Sequence, residues 1–297
     1  MSRPMPAARR PPVCLTIAGS DSGGGAGVQA DLKAFAACGT HGTCAITALT
    51  AQSTVAVTGV HTVPPAFVVD QVRAVVEDLG VDAVKLGMLG GADTIAAVAE
   101  ALELVGDDVP VVLDPVMVAE SGARLLDPDA VVALVTLLLP RATVVTPNVP
   151  EARVLAAAAG RSDTKAGDDA GAVGDERAAG DAEPEALARA VHRLGPRAVV
   201  VTGGHRDRAV DLLFDGAWVV EVPGPRHPDG AAHGSGCTHA SALAAHLAHG
   251  FSLQAAAFAA RAVAGEAVCR GLRELGAGAG PVDVLGVLDR TPARHGS

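Results

Sequence analysis

The sequence predicts an α/β fold in which a mainly parallel central sheet is covered by helices on both faces, in three layers. Short apolar runs rich in Val, Ile and Leu alternate along the chain with stretches that carry apolar residues at helical spacing. The runs are almost continuously apolar, as expected of parallel strands buried on both faces. Hydrophobic residues make up 49% of the 297 residues, which is enough for a large core.

In the first half of the chain, strands and helices are predicted to alternate. Strands are predicted over 13–18, 41–48, 83–88 and 110–115, and helices over 28–38, 66–79 and 94–105. The Gly-rich turn 19–27 joins the first strand to the first helix, which indicates either a ligand site or close helix–strand packing. It lacks the Gly-Lys-Ser/Thr of a phosphate-binding P-loop, and its glycines are too crowded for a dinucleotide fingerprint.

The second half continues the alternation after one interruption. Helices are predicted over 127–138 (with Asp127 as N-cap), 149–159, 185–194, 236–249 and 253–275, and strands over 142–146 and 198–202. Asp215-Gly216 predicts a hairpin between 209–214 and 218–222. Segment 160–183 is acidic and lacks periodicity, so it is expected to be a mobile surface insertion. We therefore expect one domain over 13–286, with tails at 1–12 and 287–297.

Composition and charge disfavour several classes of function. A net charge of −10 and 2% aromatic residues argue against nucleic-acid and anionic-membrane binding. No apolar run approaches the ~20 residues of a membrane span, and segment 1–12 lacks the apolar centre of a signal peptide. The five cysteines form no C-x-x-C pair, which favours reduced thiols and a cytoplasmic location. Cys14, Cys38, Cys44 and Cys269 are predicted to fill the core.

The most informative stretch is His233-Gly234-Ser235-Gly236-Cys237-Thr238, which precedes an Ala-rich helix. Glycines followed by a helix N-terminus predict a nest of amides for an anion such as phosphate. Cys237 at this nest is expected to have a thiol pKa below its free value. The alternative is a simple helix start with a buried cysteine.

Polar residues also end several of the predicted strands. Asp114, Asn148 and Thr202 follow such strands, and open α/β sheets bind ligands at this edge. Gln52 ends another strand, and its amide can donate to and accept from the edge of an aminopyrimidine. A solvated loop position is the alternative for Gln52.

Seven ordered motifs resemble the hydroxymethylpyrimidine/phosphomethylpyrimidine kinases of thiamin biosynthesis, within the ribokinase-like superfamily. They are Ile17–Lys33 (IAGSDSGGGAGVQADLK), Ile46–Gln52 (ITALTAQ), Lys85–Leu89 (KLGML), Leu113–Met117 (LDPVM), Thr146–Ala152 (TPNVPEA), Val201–His205 (VTGGH) and His233–Thr238 (HGSGCT). The likeness runs from about Val13 to about Gly286 and excludes the acidic insertion. It implies a three-layer ribokinase-like fold.

The resemblance also implies the roles of individual residues, ATP as a substrate and Mg²⁺ as a cofactor. The acceptor pocket would contain Gln52, Gly19, Asp31 and Met88, although Asp31 could instead be a surface carboxylate. The anion hole would contain Gly234, Ser235 and Gly236, with Cys237 as the catalytic residue. The magnesium and triphosphate end would contain Asn148, Glu151, Thr202 and Asp114, with Glu151 and Asp114 as metal ligands.

Two departures from the family pattern accompany the likeness. Ser235 stands where the family usually has Thr, and Glu120 stands where many members have Lys. The implied reaction is phosphorylation of hydroxymethylpyrimidine to its monophosphate and then to the diphosphate. Cys237 would accept a proton only in the first step, and His205 and His233 are expected to form hydrogen bonds.

Other functions remain open from the sequence. Pyridoxal or pyridoxine kinases share the superfamily, but their cysteine-type branch is expected to carry a second cysteine near Ala119, and none occurs between Cys44 and Cys237. A non-catalytic pyrimidine-binding protein and a dehydrogenase are weaker alternatives. The resemblance also suggests a homodimer.

Overall fold

The computed structural model describes residues 10–118, 126–162, 182–203 and 209–291. The predictions for Glu120 and His205 lie outside these ranges. So do those for the terminal segments 1–9 and 292–297 and for positions 163–181, which form most of the acidic insertion. The predicted domain bounds therefore stay a prediction.

The described residues form one nine-stranded sheet in the order β3-β2-β1-β4-β5-β6-β7-β8-β9. The strands are β1 (Val13–Asp21), β2 (His41–Gln52), β3 (Val57–Thr62), β4 (Ala83–Leu86), β5 (Val111–Leu113), β6 (Val144–Val145), β7 (Val199–Val201), β8 (Val210–Phe214) and β9 (Val219–Pro223). The pairs β2–β3, β7–β8 and β8–β9 are antiparallel, and the other five are parallel. The mainly parallel sheet is therefore confirmed.

Helices cover both faces of this sheet. They are α1 (Gly27–Ala37), α2 (Pro65–Asp78), α3 (Ala92–Val105), α4 (Pro128–Ala133), α5 (Val149–Ser162), α6 (Ala182–His192), α7 (Ser235–Ala248), α8 (Leu253–Cys269) and α9 (Val287–Arg290). Buried side chains of α2 to α6 join one core, and those of α1, α7 and α8 join the other. The predicted three layers are thus confirmed.

Alternation along β1 shows why two cores form. Leu15 and Ile17 belong to the core of α2 to α6, whereas Cys14 belongs to the core of α1, α7 and α8. Successive side chains of a strand point to opposite faces, so a continuously apolar strand supplies both layers. Within the described ranges, no helix is long and apolar enough to cross a membrane.

Several predicted elements differ in detail from the structure. Strand β3 was not predicted, because its exposed edge position leaves no apolar alternation. The helix predicted over 127–138 is α-helical only to Ala133 and continues as a π turn over Leu134–Leu138. Helix α8 ends at Cys269, six residues before the predicted end.

One predicted position in these elements is confirmed without the side-chain hydrogen bond expected of it, and one predicted side-chain role is wrong. Asp127 occupies the N-cap position of α4, but its side chain makes no capping hydrogen bond. Cys269 is exposed and is not a core residue, because it lies at the last position of α8, where the helix leaves the core. The hairpin at Asp215-Gly216 is confirmed by the antiparallel pairing of β8 with β9.

Candidate active site

A cavity of about 440 Å³ opens at the carboxyl ends of the parallel strands. The sequence analysis named twelve candidate site residues, and all except Asp31 line this cavity. They are Gly19, Gln52, Met88, Asp114, Asn148, Glu151, Thr202, Gly234, Ser235, Gly236 and Cys237. Their convergence follows from the parallel sheet, whose strand ends meet at one edge.

The Gly-rich turn after β1 is held by Asp21, a residue that the sequence analysis did not single out. Asp21 accepts hydrogen bonds from the amides of Gly23, at 2.8 Å, and Ala26, at 2.8 Å. The His233 ring lies 3.2 Å from the same carboxylate. Burial alone would raise the pKa of Asp21, but His233 and these amides outweigh it and lower the pKa. His233 is therefore a hydrogen-bonding residue, as expected.

Two glycines allow this turn to pack against the start of α7. Gly27 and Gly234 have φ of +57° and +84°, a region that L side chains rarely adopt. A Cβ on Gly234 would overlap the carbonyl oxygen of Gly25. The Gly-rich turn therefore serves both of the roles that its sequence left open, close packing and formation of the cavity wall.

The start of α7 forms the amide nest with one change from the expectation. The Ser235 amide donates to the carbonyl of Ala232 at 2.9 Å, so it is not free for an anion. The following amides, of Gly236 and Cys237, lie in the first helical turn, where amides have no intrahelical acceptor. A Cβ on Gly236 would meet no atom within 4 Å, so this turn faces open space.

The expectation that Cys237 has a lowered pKa is wrong for the ligand-free protein. Burial raises the pKa of its half-buried thiol to about 12. The Lys85 ammonium and the Gly27 amide favour the thiolate, but Asp31 and Asp114 oppose it. Burial and the two carboxylates therefore outweigh the Lys85 ammonium and the Gly27 amide.

Asp31 is not among the residues that line the cavity, and it is not a surface carboxylate, so its predicted place in the acceptor pocket stays a prediction. It is fully buried and accepts hydrogen bonds from Thr16 Oγ1 at 2.6 Å, Lys85 Nζ at 2.9 Å and Ser241 Oγ at 2.7 Å. We call these four residues the lysine cluster. Asp31 is buried because Lys85, which is fully buried on β4, needs a partner.

Asp114 and Glu151 form a carboxylate pair at the metal and phosphate end that was predicted. Asp114 Oδ2 has no hydrogen-bond partner among the described residues and lies 3.6 Å from Lys85 Nζ. Burial raises the pKa of Asp114 to about 6 and that of Glu151 to about 8. Among the described residues, no group of three or more His, Cys, Asp or Glu could hold a metal ion.

Glu151 also caps its own helix. Its Oε2 accepts from the Asn148 amide at 3.0 Å, and Asn148 Oδ1 accepts from the Glu151 amide at 2.9 Å. This reciprocal pair is a capping box at the start of α5. It fixes both side chains at the cavity, and the N-x-x-E spacing is a sequence signal for it.

At the acceptor end, Gln52 is the last residue of β2 and lines the cavity, so it is not a solvated loop residue. Its Oε1 accepts from Thr50 Oγ1 at 3.2 Å. Met88 lies beside Gly19, which leaves room for it, since a Cβ at position 19 would lie 3.1 Å from Met88 Sδ. Gln52, Met88 and Gly19 thus form one wall.

Sequence reasoning missed three further residues of the cavity wall, Asp211, His239 and Arg261. We call them the Asp211 cluster. A charged residue inside the apolar strand Val210–Phe214 was the available signal, because such a residue must be paired when it is buried. Lys85, inside β4, carries the same signal.

Comparison with known proteins places this site in a family. The family model described as phosphomethylpyrimidine kinase matches residues 21–283. A hydroxymethylpyrimidine/phosphomethylpyrimidine kinase from Rhizobium meliloti is 47% identical over 91% of this chain and 96% of that protein. The thiamine biosynthesis bifunctional protein ThiED from Geobacter sulfurreducens is 46% identical over 91% of this chain. The chain spans only 51% of that longer protein.

A solved structure shows the same fold. The pyridoxal kinase from Staphylococcus aureus in complex with AMP-PCP aligns with a TM-score of 0.78 and 31% identity. The alignment covers 95% of this chain and 96% of that one. The ribokinase-like fold implied by the sequence motifs is therefore confirmed.

Proposed function

Since this chain belongs to the phosphomethylpyrimidine kinase family, we propose that its cavity takes ATP and a hydroxymethylpyrimidine and catalyses two successive phosphoryl transfers. The family shows that the chain is an ATP-dependent small-molecule kinase of thiamin biosynthesis. The first product would be the monophosphate and the second the diphosphate. The observation that carries this proposal is the meeting of Gln52, Cys237, Glu151 and Thr202 in one cavity.

Phosphoryl transfer requires positioning and charge neutralisation more than covalent chemistry. The amides of Gly236 and Cys237 at the start of α7 would bind the transferring phosphoryl group. Thr202, at the end of β7, would contact the triphosphate. Gln52, which lines the cavity, would orient the aminopyrimidine so that its alcohol lies at the nest.

The carboxylate pair fits Mg²⁺. Carboxylate oxygens are the protein ligands that this ion prefers, and Asp114 Oδ2 is buried without a hydrogen-bond partner among the described residues. Asp114 and Glu151 would hold the ion, with Asn148 fixing Glu151 in place. When bound, the ion neutralises charge on the triphosphate.

Cys237 would accept the proton of the alcohol in the first transfer. The Cys237 thiol would first release its proton to solvent. The alcohol oxygen then forms a bond to the γ-phosphorus, the bond from that phosphorus to ADP breaks, and the alcohol proton moves to the thiolate, which becomes a thiol. Because burial raises the thiol pKa to about 12, the thiolate is the minor form, and the Lys85 ammonium and the Gly27 amide favour it. In the second transfer the nucleophile is an ionised phosphate oxygen that needs no base, and a neutral thiol does not repel it.

Pyridoxal is the second candidate acceptor, favoured by the structural likeness to pyridoxal kinase. The lack of a cysteine between Cys44 and Cys237 favours the pyrimidine. We also propose a cytoplasmic homodimer, on the basis of the unpaired cysteines and the family likeness. Sedimentation of the purified protein at two concentrations tests the dimer.

A coupled assay of ADP release tests the proposed acceptor. Hydroxymethylpyrimidine and its monophosphate should both support turnover, and pyridoxal should be a poorer acceptor by kcat/KM. Mass spectrometry of the products should show addition of one and then a second phosphate. A higher kcat/KM with pyridoxal would contradict the pyrimidine assignment, and a product that stops at the monophosphate would contradict the second transfer.

A further inference from the structure

The Asp211 cluster lies in the wall of the cavity but has no part in the mechanism above. Asp211 belongs to β8, which pairs antiparallel with β7, the strand that leads to Thr202. Its side chain is 4% exposed. A carboxylate buried to this degree must be matched by hydrogen bonds or by a cation.

The strong contact of Asp211 is with the backbone after β7. Asp211 Oδ1 accepts a hydrogen bond from the Gly203 amide at 2.8 Å. Its other oxygen lies 3.4 Å from His239 Nε2 and 3.6 Å from Arg261 Nε. These two nitrogens have no hydrogen-bond partner among the described residues. Among the described residues, the Gly203 amide therefore makes the shortest of these three contacts with the carboxylate.

Gly203 is pressed closely against β8. A Cβ at this position would overlap the carbonyl oxygen of Val210, so the backbone approaches the strand more closely than any other residue type allows. The preceding residue, Thr202, donates its amide to Pro147 at 2.9 Å and pairs with Asn148. The position of Thr202 is thus set from one side by the Pro147 carbonyl and from the other by Asp211.

Arg261 contacts the backbone of Ala209, the residue just before β8. Its Nη2 donates to the carbonyl oxygen of Ala209 at 3.1 Å, which also accepts from the Gly224 amide. Arg261 is also the cation that compensates Asp211, because burial lowers the pKa of His239 and keeps its ring neutral. Asp211 and Arg261 together hold Gly203 and Ala209.

We propose that Asp211 is a positioning residue for ATP: it fixes the Gly203 amide and thereby places Thr202 against the triphosphate, and Arg261 supports it through Ala209. This inference rests on the proposed function, in which Thr202 contacts the triphosphate. It requires that loss of the Asp211 hydrogen bond weakens the use of ATP without weakening the use of the acceptor.

The test compares Asp211→Ala, Asp211→Asn and the wild type in steady-state assays with ATP and hydroxymethylpyrimidine. Asp211→Ala removes the acceptor for Gly203 and should raise KM for ATP about tenfold. KM for the pyrimidine should stay within about twofold. Asp211→Asn keeps an oxygen acceptor and should stay within about threefold of the wild-type KM for ATP. Rescue by asparagine separates the hydrogen bond from the charge.

Asp215→Ala is the matched control. Asp215 lies in the turn of the same hairpin and likewise accepts backbone amides, those of Ala217 at 2.9 Å and Trp218 at 2.7 Å, but it faces solvent. Its loss should lower Tm and leave KM for ATP unchanged. An unchanged KM in Asp211→Ala, or an equal rise in both KM values, would overturn the proposal. An asparagine variant as poor as alanine would also overturn it.

Two further measurements keep the outcomes distinct. If Asp211→Ala does not fold, Arg261→Met should raise KM for ATP about threefold, since both the Ala209 contact and the charge partner of Asp211 are lost while the Gly203 hydrogen bond stays. An unchanged value would then contradict the proposal. The wild type is assayed in parallel. Failure of the wild type to consume ATP would refute the proposed function itself, whatever the variants show.

Discussion

The lysine cluster and the carboxylate pair are neighbours, yet they differ in how many hydrogen bonds the protein provides to their buried carboxylates. Asp31 receives hydrogen bonds from three protein side chains, and Lys85 lies against it with no exposed surface. Asp114 Oδ2, which is 3.6 Å from the same lysine, receives none from the described residues. Buried polar groups in native proteins are normally paired, so an unpaired one marks a place for a ligand.

The two groups of residues are expected to affect different properties of the protein. The lysine cluster is complete without any ligand, so its residues should matter first for stability. The carboxylate pair is incomplete, and burial raises both of its pKa values. Its residues should therefore matter first for activity, and they destabilise the free protein at high pH.

The largest effect is expected from Lys85→Met. This change leaves the Asp31 carboxylate buried without its cation, which should lower the free energy of unfolding by about 3–5 kcal/mol. Urea unfolding monitored by circular dichroism measures it. The double variant Lys85→Met/Asp31→Asn removes both charges and should recover about half of the loss.

Lys33→Met is the matched control for the lysine change. Lys33 lies on α1 with its side chain exposed and donates to the carbonyl of Gly24 at 2.7 Å. Its loss should change the free energy of unfolding by less than about 1 kcal/mol. If Lys85→Met also lowered the free energy of unfolding by less than about 1 kcal/mol, the lysine cluster would not stabilise the fold.

Cys237→Ala probes a residue that lies between the two regions. Removal of the proton acceptor should slow the first transfer by about 10²- to 10⁴-fold. The second transfer needs no base, so it should change by less than about threefold. Single-turnover assays with each acceptor measure the two steps, and equal losses in both would remove the argument for cysteine at this position.

Glu151→Gln tests the carboxylate pair through its effect on stability, which is expected to be smaller than the effects above. Glutamine keeps the capping box but carries no charge. The folded-state pKa of Glu151, about 8, lies above its ordinary value of 4.5. The wild type therefore loses stability as pH rises from about 4.5 to 8, because the unfolded chain releases this proton first. The Glu151→Gln variant has no ionisable group at this position, so it does not lose this stability as pH rises.

Thermal unfolding across pH measures the Glu151 effect. We expect Tm of the variant to exceed that of the wild type on the order of a few degrees at pH 8.5, with the gap closing toward pH 4.5. Kinase activity should fall at least about tenfold, because a proposed ligand of the magnesium ion is lost. Glu100→Gln, an exposed glutamate on α3, should change neither quantity. A lower Tm for Glu151→Gln at pH 8.5 would contradict the assignment.

The sequence predicted the site well where position along a strand decides it. Asp114, Asn148 and Thr202 each follow a parallel strand, and this spacing alone brings them to one edge. The sequence analysis failed where the property of a residue depends on contacts with distant parts of the chain. The thiol of Cys237 sits at a helix N-terminus as predicted, yet burial and two carboxylates raise its pKa, and neither is visible in the local sequence.

Asp31 and Asp211 show the same limit for charged residues. Helical spacing places Asp31 on α1, but the partner that buries it, Lys85, is 54 positions away. Asp211 is paired with residues of α7 and α8. Strand β3 was missed because an exposed edge strand needs no apolar pattern. Long-range pairing, which no local pattern encodes, accounts for these differences.

The contact of His233 with Asp21 ties the two ends of the chain together at the cavity. The His233 amide and carbonyl pair with the backbone at Gly280 and Val282, and its ring reaches the turn after β1. During synthesis, the turn after β1 is therefore made before its partner His233, which lies more than 200 residues later in the chain. A chain that terminates before His233 lacks that partner, so the turn after β1 and the start of α7 cannot complete the cavity wall.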